Sequence, residues 1–437
     1  MKHKVNEITN EVIGESIYLN QLSSGLTVAV ARRPGFKKVF ATFATHYGSI
    51  DNTFVIPGTE EPVTVPDGIA HFLEHKMFEK EGGGDVFNDF AALGASSNAY
   101  TDYTSTTFLF SSTGRVAENL EILLDFVQRP YFTEANVDKE KGIIEQEIRM
   151  YLDMPQDRLH SNLMGALYQN HPVRLDIAGS VESIRTITPE LLYQCYQTFY
   201  HPSNMVVLVV GDVDPESIWR QVERNQDRKG FTLQSPIARI FPSEPPAVRV
   251  PRVEQRMPVS APLFMIGYKD TQISGTGDAL LRREVAISLM WQMLLGKGSP
   301  LYAELYQAGL INERFHARYS GGTTFGVSAI GGETLDPRRL ESWLVERLPN
   351  QELSREDLAR LKKKEMGEMI GLFQSPEDLA YAFNNMFFRG IDLLHYIDVL
   401  SSITLDEIQE VRDTQLQERS RAVSLILPVA GNESKED

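Results

Sequence analysis

Cysteine is nearly absent: Cys195 is the one thiol in 437 residues. That excludes an internal disulfide framework and a thiolate zinc cluster. Cys195 lies in the apolar and aromatic run LLYQCYQTF and reads as a buried small hydrophobe. Positive charge is also scarce, with 43 Lys and Arg against 59 Asp and Glu, a formal net charge of −16. This disfavours nucleic acid and anionic membrane surfaces as partners. It suits a basic peptide substrate, but plain solubility explains it equally well and is the safer reading. No apolar run is long enough to span a bilayer. The opening MKHKVNEITNEVIGESIYLN has no apolar signal core and is not the Arg-rich, acid-poor stretch of a transit peptide. The expectation is a cytoplasmic protein with no export signal and no membrane partner.

The rest of the composition is that of a globular chain, 42% hydrophobic and 23% charged, and long enough for two or three domains. Its most informative stretch is Gly68 to Lys80, GIAHFLEHKMFEK. Ile69, Phe72, Leu73, Met77 and Phe78 recur at helical spacing, with Asp67 as the expected N-cap and Gly82-Gly83-Gly84 as the expected end. His71 and His75 are then i and i+4, one turn apart on the same face. Two neutral imidazoles and one carboxylate from elsewhere would hold Zn²⁺ with a fourth position open to water. Glu74, at the edge of that face, would take a proton from the water. The order His-x-x-Glu-His is the inverted zinc-helix pattern. A helix carrying two His and a Glu on one face is otherwise an ordinary solvated helix, so the surrounding sequence decides.

Leu26 to Arg32 and Val39 to His46 read as strands separated by a turn at Pro34-Gly35, and residues 51–66 as a loop. Asp85 to Leu93 reads as a short helix. Gly94 to Ser112, rich in β-branched and aromatic residues, is a long strand or a hairpin. Beside a peptidase site such a strand pairs with an extended peptide; the plainer reading is an interior strand. Val116 to Gln128 and Thr133 to Leu152 read as amphipathic helices. On the second, Glu140 and Glu147 are two turns apart and share a face, whereas Glu145 points elsewhere.

The two halves echo each other. Ile184 to Val213 resembles Leu400 to Val429, and Met150 to Gln169 matches Gly371 to Gly390 around Pro155 and Pro376, at offsets of 216 and 221 residues. Two copies of one α/β unit follow, with a seam in the proline-bearing Gln234 to Pro258. The expected division is 1–238, a linker 239–258, and 259–437. The second copy has VAISLMWQMLLGKG in place of the His-bearing helix, so only the first carries chemistry.

These motifs together resemble the pitrilysin/insulinase zinc peptidases, and most closely the half-length subfamily that includes mitochondrial processing peptidase and bacterial relatives. The resemblance runs over about residues 20–430 and rests on His71-Phe-Leu-Glu-His75, Ser97-Asn98-Ala99-Tyr100-Thr101, and Glu140 with Glu147. It implies two homologous α/β sandwich domains, each a mixed, mainly antiparallel sheet packed with helices, forming one half of a clam shell. It implies one Zn²⁺ per chain held by His71, His75 and Glu147, with Glu74 as general base and Glu140 orienting the ligands. Asn98 and Ala99 would hold the substrate backbone on an edge strand.

In that family a facing half supplies an Arg and a Tyr seven positions apart. The equivalent stretch, Leu301 to Phe315, aligns Tyr306 and about Asn312 instead. Arg314, Arg318 and Tyr319 have the wrong spacing, and Arg389 with Tyr396 reads as coincidence. The resemblance therefore implies a zinc metalloendopeptidase of unfolded peptides, the catalytic subunit of a heterodimer whose partner supplies the Arg/Tyr pair. A homodimer using Arg314 or Arg318 is the variant. The rivals are a non-catalytic structural subunit of a larger complex and a non-proteolytic metal hydrolase.

Overall fold

The protein is described from a computed structural model covering residues 6–273 and 275–429; residues 1–5 of the opening read above for a leader lie outside the described residues. The chain forms two compact units, neither contiguous in sequence. The first takes the chain up to Ile148, Asp176–Phe241 and Gly367–Tyr396, and the second takes Arg149–Leu175, Pro242–Met366 and the chain from Ile397 onward.

The strands of the first unit are β1 (Asn6–Asn10), β2 (Glu15–Gln21), β3 (Thr27–Arg32), β4 (Val39–Thr45), β5 (Thr53–Val55), β6 (Pro62–Thr64), β7 (Ser96–Thr101), β8 (Thr106–Ser112), β9 (Met205–Gly211) and β10 (Ala238–Arg239). Seven form one sheet in the order β1-β2-β3-β9-β4-β8-β7. Only β3 and β9 run parallel; the other neighbours are antiparallel. The two strands expected around Pro34-Gly35 are β3 and β4, but they do not pair. β9 lies between them, because MVVLVVG, buried at every position, needs partners on both sides. The expected loop 51–66 contains β5 and β6, which join β10 in a small sheet. Arg239 on β10 anchors that sheet by donating from Nε to the buried Asp51 at 2.9 Å.

Helices α1 (Ile69–Lys76), α2 (Val86–Ala92), α3 (Val116–Phe126) and α4 (Glu134–Asp153) belong to the first sequence half. Ile69, Phe72 and Leu73 of α1 sink into a core shared with Phe43, Phe108 and Tyr200. Burial of Phe72 and Leu73 stabilises by about 1.5–3 kcal/mol each, which offsets the cost of carrying His71 and Glu74 inside with them.

Both expected ends of α1 are corrected. The N-cap is Gly68 in the left-handed region (φ 88°), and no side chain caps the helix. The Asp67 carboxylate is engaged elsewhere, accepting from Asn52 Nδ2 at 2.9 Å. A Cβ on Gly68 would lie 2.3 Å from the Ala178 carbonyl oxygen, and one on Gly179 would lie 2.4 Å from that of Asp67. Two backbones meet there, and that contact sets where α1 begins. Gly68→Ala is expected to destabilise the fold by at least about 1–3 kcal/mol from backbone strain alone, read as a fall in the urea midpoint. At the other end α1 stops at Lys76, well before Gly82. Phe78 leaves the helix to stack on Phe87, with ring centroids 4.3 Å apart.

The second unit is built on β11 (Arg252–Met257), β12 (Leu263–Lys269), β13 (His316–Gly321), β14 (Gly326–Glu333) and β15 (Arg421–Pro428), in the order β11-β15-β12-β14-β13. The internal repeat is plain in the elements. Helix Pro189–Phe199 leads to β9 and helix Leu405–Gln415 leads to β15, each capped by a threonine, Thr188 and Thr404. The helices repeated around Pro155 and Pro376 are exchanged between the copies. Helix α5 (Pro155–Leu167) packs on β11, β12 and β15 of the second unit, and helix Pro376–Phe387 packs on β4 and β9 of the first. Asn384 on the latter is buried and hydrogen-bonded to Thr42 on β4. The stretch 239–258 read as a linker is structured in part, since it holds β11 and the Arg239 anchor. Among the described residues no helix is long and apolar enough to cross a membrane.

Candidate metal centre

Three elements of the first unit meet at one place: α1, α4 and β7. Helical spacing on α1 puts the His71 and His75 rings together, with centroids 4.6 Å apart. From α4, Glu147 reaches both, Oε1 to His71 Nε2 at 3.7 Å and Oε2 to His75 Nε2 at 3.4 Å. One ligand atom from each of the three lies within 4.8 Å of the others, and among the described residues no other His, Cys, Asp and Glu group comes together in this way. In a tetrahedral zinc site with bonds of about 2.0–2.2 Å, neighbouring ligand atoms stand roughly 3.3–3.6 Å apart. The His71 Nδ1 atom is buried with no hydrogen-bond partner among the described residues, so that ring is not tied into a competing network. The donor set therefore fits a zinc ion.

Glu140, one turn-pair before Glu147 on α4, sits behind His75 with Oε1 3.1 Å from Nδ1. An ionised carboxylate only accepts, so it fixes the ring proton on Nδ1 and leaves the Nε2 lone pair facing Glu147. Glu145 is not part of the cluster; it pairs with Arg185 at 3.0 Å on the other side of the helix. Glu74 lies beside the cluster, and its Oε2 accepts a hydrogen bond from Thr101 Oγ1 at 2.7 Å.

Electrostatics differ sharply across these few ångströms. Burial, and then the neighbouring His75, pushes the His71 imidazole down to about 3. His75 is pulled the same way by burial, but the Glu140 hydrogen bond and three carboxylates outweigh it and raise its pKa. Burial alone would lift Glu140; the His75 hydrogen bond and the charges of His75, Lys76 and Lys139 hold it below its ordinary value. Glu74 is raised by burial, against the opposing bond from Thr101. The site thus holds one carboxylate kept ionised to orient a ring and another with a raised proton affinity.

The stretch Gly94 to Ser112 is a hairpin, and β7 is the outer strand of its sheet. Of the two readings left open by the sequence, edge or interior, the structure has the edge. Asn98 and Ala99 lie on it and, with Glu74, His75, Phe78 and Glu79, line a cavity of about 610 Å³. The Ala99 N–H donates to the Asn98 side-chain oxygen at 2.9 Å.

No Arg/Tyr pair emerges among the described residues of the second unit. Tyr306, Arg314 and Arg318 are exposed, and the Tyr319 hydroxyl donates to Asp270 at 2.9 Å. Asn312 donates to Glu333 at 3.0 Å. Arg389 belongs to the first unit and is buried, with Nε donating to the Asn385 carbonyl at 2.8 Å. Two residues at the metal cluster carried no role in the sequence reading. Thr101 closes the Ser97-Asn98-Ala99-Tyr100-Thr101 run, but only the fold turns its hydroxyl to Glu74. Lys76 follows His75 in the chain and belongs to no motif of its own.

A mixed α/β fold with an inverted His-x-x-Glu-His helix and a distant glutamate defines a class. The chain belongs to the insulinase family, peptidase family M16. Residues 60–181 match the profile of that family's peptidase domain, and 186–365 match the profile described as the peptidase M16 inactive domain. Among individual proteins it is 44% identical over 426 residues to the uncharacterized zinc protease YmfH of Bacillus subtilis (strain 168), covering 97% of this chain and 99% of that one. The structure matches that of an M16-like peptidase from Alicyclobacillus acidocaldarius with a TM-score of 0.91 and 37% identity, over 98% of this chain and 100% of the other. Pitrilysin shares the fold at 14% identity and a TM-score of 0.73, with 98% of this chain covering 46% of that one.

Proposed function

We propose that the protein is a zinc metalloendopeptidase that cleaves unfolded peptides. The observation that carries this reading is the His71, His75 and Glu147 trio, drawn together within 4.8 Å beside Glu74. These three would hold one zinc ion, which when bound supplies Lewis acidity and lowers the pKa of water. The chain's own residues do the rest. Glu74 is anchored through Oε2 by Thr101, so Oε1 takes the proton from water and later returns it to the leaving amine. Glu140 keeps His75 in the tautomer that presents Nε2. The open edge of β7 at Asn98 and Ala99 pairs with an extended peptide backbone and leaves side chains loosely read.

We further read the chain as one subunit of a heterodimer. What supports this is that the described residues hold a single metal trio, on the first copy, and none on the second. The partner would be a homologue of similar length carrying an Arg and a Tyr seven positions apart and no metal motif. Mixing the two purified chains is expected to raise hydrolysis of a fluorogenic unfolded peptide at least tenfold over either alone. If this chain alone, as a monomer or homodimer, turns over as fast as the mixture, the heterodimer reading fails. If the mixture binds no zinc and cleaves nothing, the chain is a structural subunit instead.

A further inference from the structure

Lys76 is the residue next to His75, and its side chain is wholly inside the protein. A buried ammonium is costly unless it is paired. Lys76 is paired twice: with Glu79, three residues on, and with Glu140, whose Oε2 lies 3.7 Å from Nζ. The other oxygen of the same carboxylate, Oε1, is 3.1 Å from His75 Nδ1. Lys76, Glu140 and His75 thus form one chain of contacts ending at a ring of the metal cluster.

We propose that Lys76 is a positioning residue of the metal centre. By engaging Oε2 it stops the Glu140 carboxylate from rotating, so Oε1 stays on the His75 ring and Nε2 stays aimed at the ion. Glu79 lines the same cavity as His75 and Glu140 and balances the ammonium. This inference rests on the zinc-site reading given above.

The sign of the effect separates positioning from mere charge. An ammonium close to a bound dication repels it. If Lys76 contributed only its charge, removing it would tighten zinc. If it holds Glu140 in place, removing it loosens zinc, as losing an outer partner of a ligating histidine does.

The test is the zinc dissociation constant of the full chain, measured by competition with a chromophoric chelator. Lys76→Met, Glu140→Gln and the double variant are compared with the unaltered chain. Lys76→Met is expected to weaken zinc about 10- to 100-fold. The double variant is expected to be no weaker than Glu140→Gln alone by more than about twofold, since Lys76 acts through Glu140. Unchanged or tighter zinc in Lys76→Met, or losses that add in the double variant, would overturn the proposal. If the methionine variant does not fold, the same comparisons are made on Lys76→Leu, which likewise has no donor to hold Oε2. An unaltered chain that holds no zinc at His71 and His75 would overturn the metallopeptidase reading together with this one; zinc bound there but indifferent to Lys76 would overturn this one alone.

Discussion

Glu74→Gln is expected to keep its zinc and to lose about 100- to 10,000-fold in kcat/KM, the range of a positioned general base. A glutamine has the same shape, and its carbonyl oxygen still accepts the Thr101 hydroxyl, so the local structure should hold. What it lacks is a site for the proton. The measurement is zinc content by atomic absorption beside hydrolysis of an unfolded peptide, with the partner subunit present. Retained zinc and activity within tenfold of the unaltered chain would remove Glu74 from the mechanism. The pH profile carries the same information. Burial raises the Glu74 pKa, and only the ionised form accepts a proton. Activity should therefore rise with pH through a value above the ordinary one for a glutamate and be lost as pH falls through it.

Glu147→Ala is expected to reduce zinc affinity by more than the 10- to 100-fold typical of outer partners, because it removes a ligand rather than a support. The companion effect is on stability. An ion that binds only the folded chain at 100 to 1,000 times its dissociation constant adds about 2.7–4.1 kcal/mol. Stripping the unaltered protein with a chelator should then lower its melting temperature by roughly 5–15 °C. The same chelator should leave Glu147→Ala unmoved. The metal-free variant should also be at least as stable as the metal-free unaltered chain. Without an ion, the Glu147 charge bears on the buried Glu74 and raises its proton affinity, and removing it relieves that repulsion. A chelator-induced shift of equal size in Glu147→Ala would place the stabilising ion elsewhere.

Parts of the cluster are legible in the sequence. The i, i+4 spacing of His71 and His75 obliges both rings to leave one face of any helix formed there. The seven-residue spacing of Glu140 and Glu147 does the same on α4. The repeat was equally readable: Thr188 and Thr404 open helices of the same length before strands of the same kind. The cap was not. Asp67 is a better capping side chain than Gly68 on intrinsic grounds, yet a backbone approach to Ala178, a hundred residues away, decided against it. Periodicity also said nothing of β9 intervening between β3 and β4, since strand order is settled by which apolar runs can be covered together.

What the sequence determined by itself is local: which residues share a helix face, where the halves repeat, and which chemistry those side chains are fit for. Such facts follow from fixed turn geometry and side-chain type. The tertiary structure alone decided the rest. It brought Glu147 to the two rings, turned Thr101 to Glu74, left β7 on an open edge, sealed Lys76 behind Glu140, and exchanged a helix between the copies. Each of these depends on burial and on contacts across long stretches of chain, where many pairings satisfy the same local pattern and only the packing of the whole selects one.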